Sequence, residues 1–405
     1  MLPVHDPLDT PYRSQGIGFA SRFFDRQLPE KYRLWLISRD EFIAQNENWL
    51  LDYALYKALA RQFDTPQWWR WPRELATYDP GSVRAWREKL REPINAFIDE
   101  QYALTNQFLH LRRAAAEAEQ LLLADVPFYL SRASSLVWSH QHLFIFSGVG
   151  ELKFQSGVPA GRGEPFGAQL WGHPLYNWRG GEIDGIIDLF ATRLEFLSHY
   201  FSLVRLDHAN GFFRYGMMSA EHPSWNKRLV GPGRDALLPL LQTIQRLHLG
   251  VYLENIAADT MSLEQTMKDF NLAGTSVATL TYNLEHRQRS QLLSVTDDQL
   301  RLENLGGHNI VFSSTHDTPT LLSWVKNLPP EIRARFIQVN HLPDDATDKG
   351  LACHIRTRLL ALDARLVIIP WQDWQLDTFR FNVPGREELT NWHYPVDIRR
   401  YLPES

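Results

Sequence analysis

A single cysteine, Cys353, is all the thiol chemistry in 405 residues, so an intramolecular disulfide and a cysteine-ligated metal site are both excluded. Neither sign of charge dominates: Lys plus Arg is 42, Asp plus Glu is 47, and the net charge is −5. No long run of one sign suits a nucleic acid or a membrane surface. No stretch approaches the ~18 apolar residues of a membrane span. The opening MLPVHDPLDTPYR has neither the basic region nor the apolar core of a signal peptide, so the chain reads as cytoplasmic. A Gly-rich phosphate loop, an HExxH pair and a nucleophile elbow are all missing, as are internal repeats and low-complexity segments. What the chain has in quantity is aromatic surface: 12% of residues, with 14 Trp. Most of these rings fill the core, and the surplus suits stacking on flat ligands such as sugars.

Along the chain, Met1 to Gln27 is rich in Pro and Gly and reads as an extended entry, with Leu2-Pro3-Val4 as the last turn of a strand. Apolar residues then recur at three and four, from Lys31 to Ala76 and again from Ser82 to Leu123, which predicts a helical block over 31–123. Asp125 to Leu130, DVPFYL, reads as a strand. The Gly/Pro-rich passage 148–181 follows, with little periodic structure and an aromatic content that favours a substrate-binding loop. Amphipathic helices are predicted over Ile183–His199 and Arg234–His248, and a last strand over Leu366–Ile369.

Three short apolar runs end abruptly in polar residues. Phe201 to Leu206 runs into Asp207, His208, Asn210 and Gly211; Leu249 to Leu253 runs into Glu254 and Asn255; Asn309 to Phe312 runs into Ser313, Ser314, Thr315, His316 and Asp317. Strands that each deliver a carboxylate at the C-terminal end, with helices between them, predict an α/β fold of the (β/α)8 TIM-barrel type. One barrel domain over 1–405 with helical insertions accommodates the length. Such carboxylates suit glycosyl transfer, in which an ionised nucleophile and a protonated acid play separate parts. Asp207, flanked by Arg205 and His208, suits the ionised role, because neighbouring positive charge favours its charged form. Glu254, ending an apolar strand, suits the acid. Asp317 with His316 suits holding hydroxyls and stabilising positive charge. Ligation of Mg²⁺ or Ca²⁺ by the three carboxylates stays open on residue type alone. Taken singly, each Asp also reads as a helix N-cap, each His as a structural histidine, and Asn210-Gly211 as a turn.

Val204-Arg205-Leu206-Asp207-His208, Tyr252-Leu253-Glu254-Asn255 and Ser314-Thr315-His316-Asp317 resemble signatures of the 4-α-glucanotransferases of glycoside hydrolase family 77. So do Asp9 to Ser14, Asn48 to Ala54, Gln169 to Tyr176, Asn382 to Gly385, and Asn391-Trp392, so the resemblance covers nearly the whole chain. It implies Asp207 as nucleophile, Glu254 as general acid/base and Asp317 as transition-state stabiliser. Arg205 and His316 would support them, Tyr12, Gln169, Trp171 and Asn382 would contact glucose units, and His208 is expected among the substrate-binding residues. It implies α-1,4-glucans as substrates, a retaining reaction, and neither metal nor organic cofactor. The chain departs from the family pattern at Ala133 and Leu136, where acidic residues are usual, at Asn255 in place of Asp, and at Thr318 in place of Asn. The first barrel strand is expected to be incomplete at the N-terminus. An α-glucan-binding homologue and an amylase-like hydrolase are the competing readings.

Overall fold

The computed structural model describes residues 36–159, 169–222, 226–257, 259–280, 295–344, 346–383 and 391. The expected N-terminal strand and Tyr12 therefore lie outside the described residues. The chain divides into two compact units, Met1–Pro159 with Leu170–Glu254, and Ala160–Gln169 with Asn255–Ser405.

In the first unit the helical block is real but segmented. Helix Leu50–Gln62 buries Leu50, Ala54, Leu55, Ala58 and Leu59 on one stripe, and it packs against helix Arg91–Glu117. The tract expected to start at Ser82 begins at Pro80, which takes the first helical turn behind Asp79, whose side chain accepts the Ser82 N–H at 2.8 Å. It ends at Glu117 and not at Leu123, because Glu119 adopts the left-handed conformation, φ 55°. Leu123 onward is already a strand.

Ten strands are described: β1 (Leu123–Val126), β2 (Phe154–Val158), β3 (Gln169–Leu170), β4 (Leu203–Leu206), β5 (Arg214–Ser219), β6 (Asn226–Val230), β7 (Gly250–Leu253), β8 (Thr275–Val277), β9 (Gly307–Phe312) and β10 (Ala364–Ile368). β1 stops short of the expected DVPFYL, because Pro127 has no N–H to give to a ladder. In the first unit β1, β4 and β7 form a parallel sheet in that order, and its register aligns Asp125, Arg205 and Tyr252. Helix Arg234–Arg246 makes the crossover from β4 to β7 and packs against helix Ile183–Ser198, which leads into β4. In the second unit β10, β9 and β8 form another parallel sheet, with Val311 facing Ser276 on one side and Val367 on the other. Leu321, Trp324, Phe336, Leu351 and Ile355 pack its core. Each parallel ladder among the described residues has three strands.

The passage 148–181, expected to be largely irregular, holds β2 and β3. Together with β5 and β6 they make a sheet of order β3-β2-β5-β6, antiparallel from β2 to β6. FQSGV carries no alternation that would announce a strand. Its order comes from pairing with β5, where Gly157 faces Gly216 so closely that a Cβ on Gly216 would meet the Gly157 carbonyl oxygen at 2.1 Å.

Candidate active site

Parallel pairing carries the chain past the strand ends and sets the carboxylates side by side. The Asp207 N–H donates to the Val126 carbonyl at 3.1 Å, and the Glu254 N–H donates to the Leu206 carbonyl at 3.0 Å. Arg205, on the same face as Asp207 two residues on, reaches three carboxylates. Its Nη1 lies 2.7 Å from Asp125 Oδ1 and 2.9 Å from Asp207 Oδ1, and its Nη2 lies 2.8 Å from Glu254 Oε2. Glu254 Oε2 also accepts the His208 N–H at 2.7 Å. A guanidinium between several anions is preorganised for bidentate work.

Two electrostatic expectations come out differently. Burial, reinforced by Glu254 and opposed by Arg205 and His208, pushes the Asp207 carboxyl up to about 6, so the cation beside it does not prevail. Burial also holds the His208 imidazole below its ordinary value, against the upward pull of Asp207, so His208 contributes no full positive charge at neutral pH. Nor does Glu254 sit in a purely apolar pocket, since Oε2 has two donors, Arg205 and the His208 N–H.

The chain turns sharply after Asp207. His208 has φ 43°, a left-handed conformation that a non-glycine residue rarely holds, and a buried 3₁₀ turn, Ala209–Phe212, follows. The Asn210 side chain, in that turn, is 5% exposed, and among the described residues its Oδ1 has no hydrogen-bond partner. Gly211 is required by contact: an added Cβ would lie 2.7 Å from Phe128 Cε1. Phe128, Tyr129 and Trp171 stand around the His208 ring at centroid distances of 5.9, 6.3 and 5.0 Å, Trp171 edge-on. Gly211→Ala must displace Phe128 from this cluster. We expect it to lower unfolding stability by about 1–3 kcal/mol, measured by urea titration; an unchanged midpoint would show that the ring relaxes freely.

The second group lies wholly in the second unit. Asp317 Oδ1 accepts from Asn382 Nδ2 at 2.6 Å, and Asp317 Oδ2 stands 3.2 Å from His316 Nε2. Arg380 Nη2 donates to the Asp317 carbonyl at 2.5 Å, and the Asn382 N–H to the His316 carbonyl at 3.0 Å. Thr318 is used structurally: its hydroxyl accepts the Thr315 N–H at 2.8 Å and the Thr279 hydroxyl at 3.0 Å. Asn255 likewise accepts the Thr275 N–H at 2.9 Å.

The expected site residues therefore fall into two sets, Arg205, Asp207, His208, Trp171 and Glu254 in one unit and His316, Asp317 and Asn382 in the other. Gln169 is buried at the start of β3. Sequence reasoning missed Asp125, whose partnership with Arg205 follows from the β1–β4 register, and Arg380, which only the fold brings to Asp317. It also missed Arg193, fully buried on helix Ile183–Ser198 and donating to the Pro127 carbonyl at 2.6 Å. Among the described residues no cluster of three or more His, Cys, Asp or Glu is arranged to hold a metal ion, although three carboxylates share one guanidinium. Among the described residues no helix is long and apolar enough to cross a membrane.

The chain is 27% identical over 364 residues to the 4-alpha-glucanotransferase of Aquifex aeolicus, covering 88% of this chain and 70% of that protein. It is 29% identical over 387 residues to that of Thermus thermophilus, covering 90% and 72%. It is 24% identical to the chloroplastic/amyloplastic enzyme of Solanum tuberosum, covering 97% of this chain and 64% of that protein. The chain thus spans about two thirds of the length of these relatives. Its fold is similar to that of the amylomaltase from Streptococcus agalactiae, solved in complex with acarbose, with a TM-score of 0.75 at 21% identity, over 90% of this chain and 71% of that one. The amylomaltase from Corynebacterium glutamicum is similar at a TM-score of 0.67 and 14% identity, over 89% of this chain and 53% of that one. Residues 24–399 match the family model of the 4-alpha-glucanotransferases, glycoside hydrolase family 77, and the chain belongs to that family.

Proposed function

We propose that this protein moves α-1,4-glucan segments between maltooligosaccharides by a retaining double displacement. The observation that carries the reading is Arg205 bridging Asp207 and Glu254 at 2.9 and 2.8 Å. Retaining enzymes pair their carboxyl groups closely, where an inverting pair stands roughly 6.5–9.5 Å apart. Asp207 attacks the anomeric carbon and forms a glucosyl ester, while the C1–O bond breaks and Glu254 gives its proton to the departing 4-oxygen. Glu254 then takes the proton of an acceptor 4-hydroxyl, whose oxygen displaces Asp207 and restores the original configuration. At pH 7 a carboxyl with a pKa of about 6 is ionised roughly ten to one, which leaves Asp207 able to attack. Asp317, oriented by Asn382 and His316, stabilises the positive charge that develops on the ring. Trp171 and its aromatic neighbours supply a platform on which an acceptor sugar displaces water.

The remaining parts of the reading follow from the family resemblance. The parallel strands belong to an eight-stranded barrel, 31–123 is a helical insertion and 148–181 a substrate-binding region. Maltotriose incubated with the protein should give glucose together with longer maltooligosaccharides, resolved by chromatography. Reducing ends without chain lengthening would favour the amylase-like hydrolase, and maltotriose binding without turnover the glucan-binding homologue.

A further inference from the structure

Asp373 lies in the one-turn helix Trp371–Trp374 that follows β10, and it is fully buried. Its Oδ2 accepts from the hydroxyls of Ser313 and Ser314 at 2.5 and 2.6 Å, and its Oδ1 accepts the Leu321 N–H at 2.6 Å. Ser313 and Ser314 begin the loop after β9, and Leu321 begins the helix Leu321–Lys326 that closes it. One buried carboxylate therefore ties down both ends of the eight-residue stretch 313–320, and His316-Asp317 is at its crest.

The segment that follows Asp373 grips the same loop further along. The Thr320 hydroxyl donates to the Asp377 carbonyl at 2.7 Å. Arg380 donates through Nη2 to the Asp317 carbonyl at 2.5 Å and through Nε to the Asn382 carbonyl at 2.8 Å. Asn382 holds Asp317 Oδ1 at 2.6 Å. Four residues spaced over 373–382 thus clamp the two ends, the C-terminal flank and the crest of one loop.

A helix cap by itself would need one acceptor near the Leu321 N–H, and Thr320 already caps this helix through Ser323. A buried carboxylate is costly to retain for that alone. Its second oxygen is spent on two hydroxyls at the loop's other end, so one carboxylate joins the exit of β9 to the start of the closing helix.

We propose that Asp373 is a positioning residue for Asp317, holding the loop 313–320 so that the Asp317 carboxylate meets charge developing on a bound glucose ring. This rests on the role assigned to Asp317 above. Supporting groups of this kind typically change activity by roughly 10–100-fold when replaced.

The test uses Asp373→Asn, with the double variant Ser313→Ala/Ser314→Ala as the second variant should the first fail to fold. Maltotriose disproportionation is measured as kcat and KM per folded molecule, alongside binding of maltotriose and of the cationic iminosugar 1-deoxynojirimycin by calorimetry. Positioning predicts kcat down by roughly 10–100-fold with KM within about twofold, and iminosugar affinity reduced while maltotriose affinity holds. A lower unfolding temperature with kcat and iminosugar affinity unchanged would overturn the proposal, because that is the signature of a structural tie only. If the wild-type protein shows no disproportionation, the transferase reading fails, and the difference in iminosugar binding between wild type and variant still decides the role of Asp373.

Discussion

Asp207→Asn should abolish glucan transfer and, at neutral pH, make the protein more stable. Loss of a covalent nucleophile costs on the order of 10⁴-fold or more in kcat, because the remaining groups supply only orientation and electrostatics. The stability gain follows from the same carboxyl. Its folded-state value of about 6 lies above the ordinary 3.8, so the folded chain holds this proton more tightly than the unfolded chain does. That favours folding fully below pH ~4 and is lost as pH rises from there to about 6. At pH 7 the ionised wild type therefore carries a cost of up to about 3 kcal/mol. The side chain keeps 32% exposure, so solvent screens part of that cost and about 1–2 kcal/mol is expected. Asparagine keeps the shape without the charge. Urea unfolding at pH 7 and near pH 4 should show the variant more stable at the first and indistinguishable at the second. Measurable transfer by the variant would sink the nucleophile assignment.

Arg205→Met should be the most damaging single change in the first unit. Asp125, Asp207 and Glu254 would lose the guanidinium they share, at 2.7, 2.9 and 2.8 Å. Breaking a buried pair by removing one partner costs about 3–5 kcal/mol, since the charge left behind is uncompensated. The sign of the pH dependence is distinctive. Arg205 lowers the Asp207 value against burial, so its loss drives that carboxyl further up, and acid should restore much of the lost stability by neutralising the cluster. The acid limb of kcat/KM, which reports the free enzyme, should move to higher pH accordingly. Arg205→Lys should be intermediate, because an ammonium cannot span the carboxylates as the fork does. A stability loss of equal size at pH 5 and pH 7 would show that Arg205 acts through packing and not through charge.

Much of this site was legible before any coordinates. The strands ending at Asp207, Glu254 and the 313–317 loop stand within two residues of where apolar runs stop, because a buried parallel strand must be apolar and its exit polar. The helix before β4 and the crossover to β7 were likewise visible as amphipathic repeats. The strands of 148–181 were not, since FQSGV is held by the partner strand and has little propensity of its own. The direction of the Asp207 shift differs from the one its neighbours suggest for a related reason. Sequence shows the neighbouring Arg205, while desolvation depends on everything packed around the carboxyl.

The sequence by itself determined the residue types at the strand ends, the helical block and the family, because these rest on local periodicity and contiguous motifs. Only the tertiary structure decided that Asp125 is the third anion on Arg205, that Glu254 Oε2 takes the His208 N–H, and that Arg380, Asn382 and Asp373 hold the Asp317 loop. Register and the return of distant segments make those contacts, across separations of 46 to 80 residues, and no local pattern encodes them.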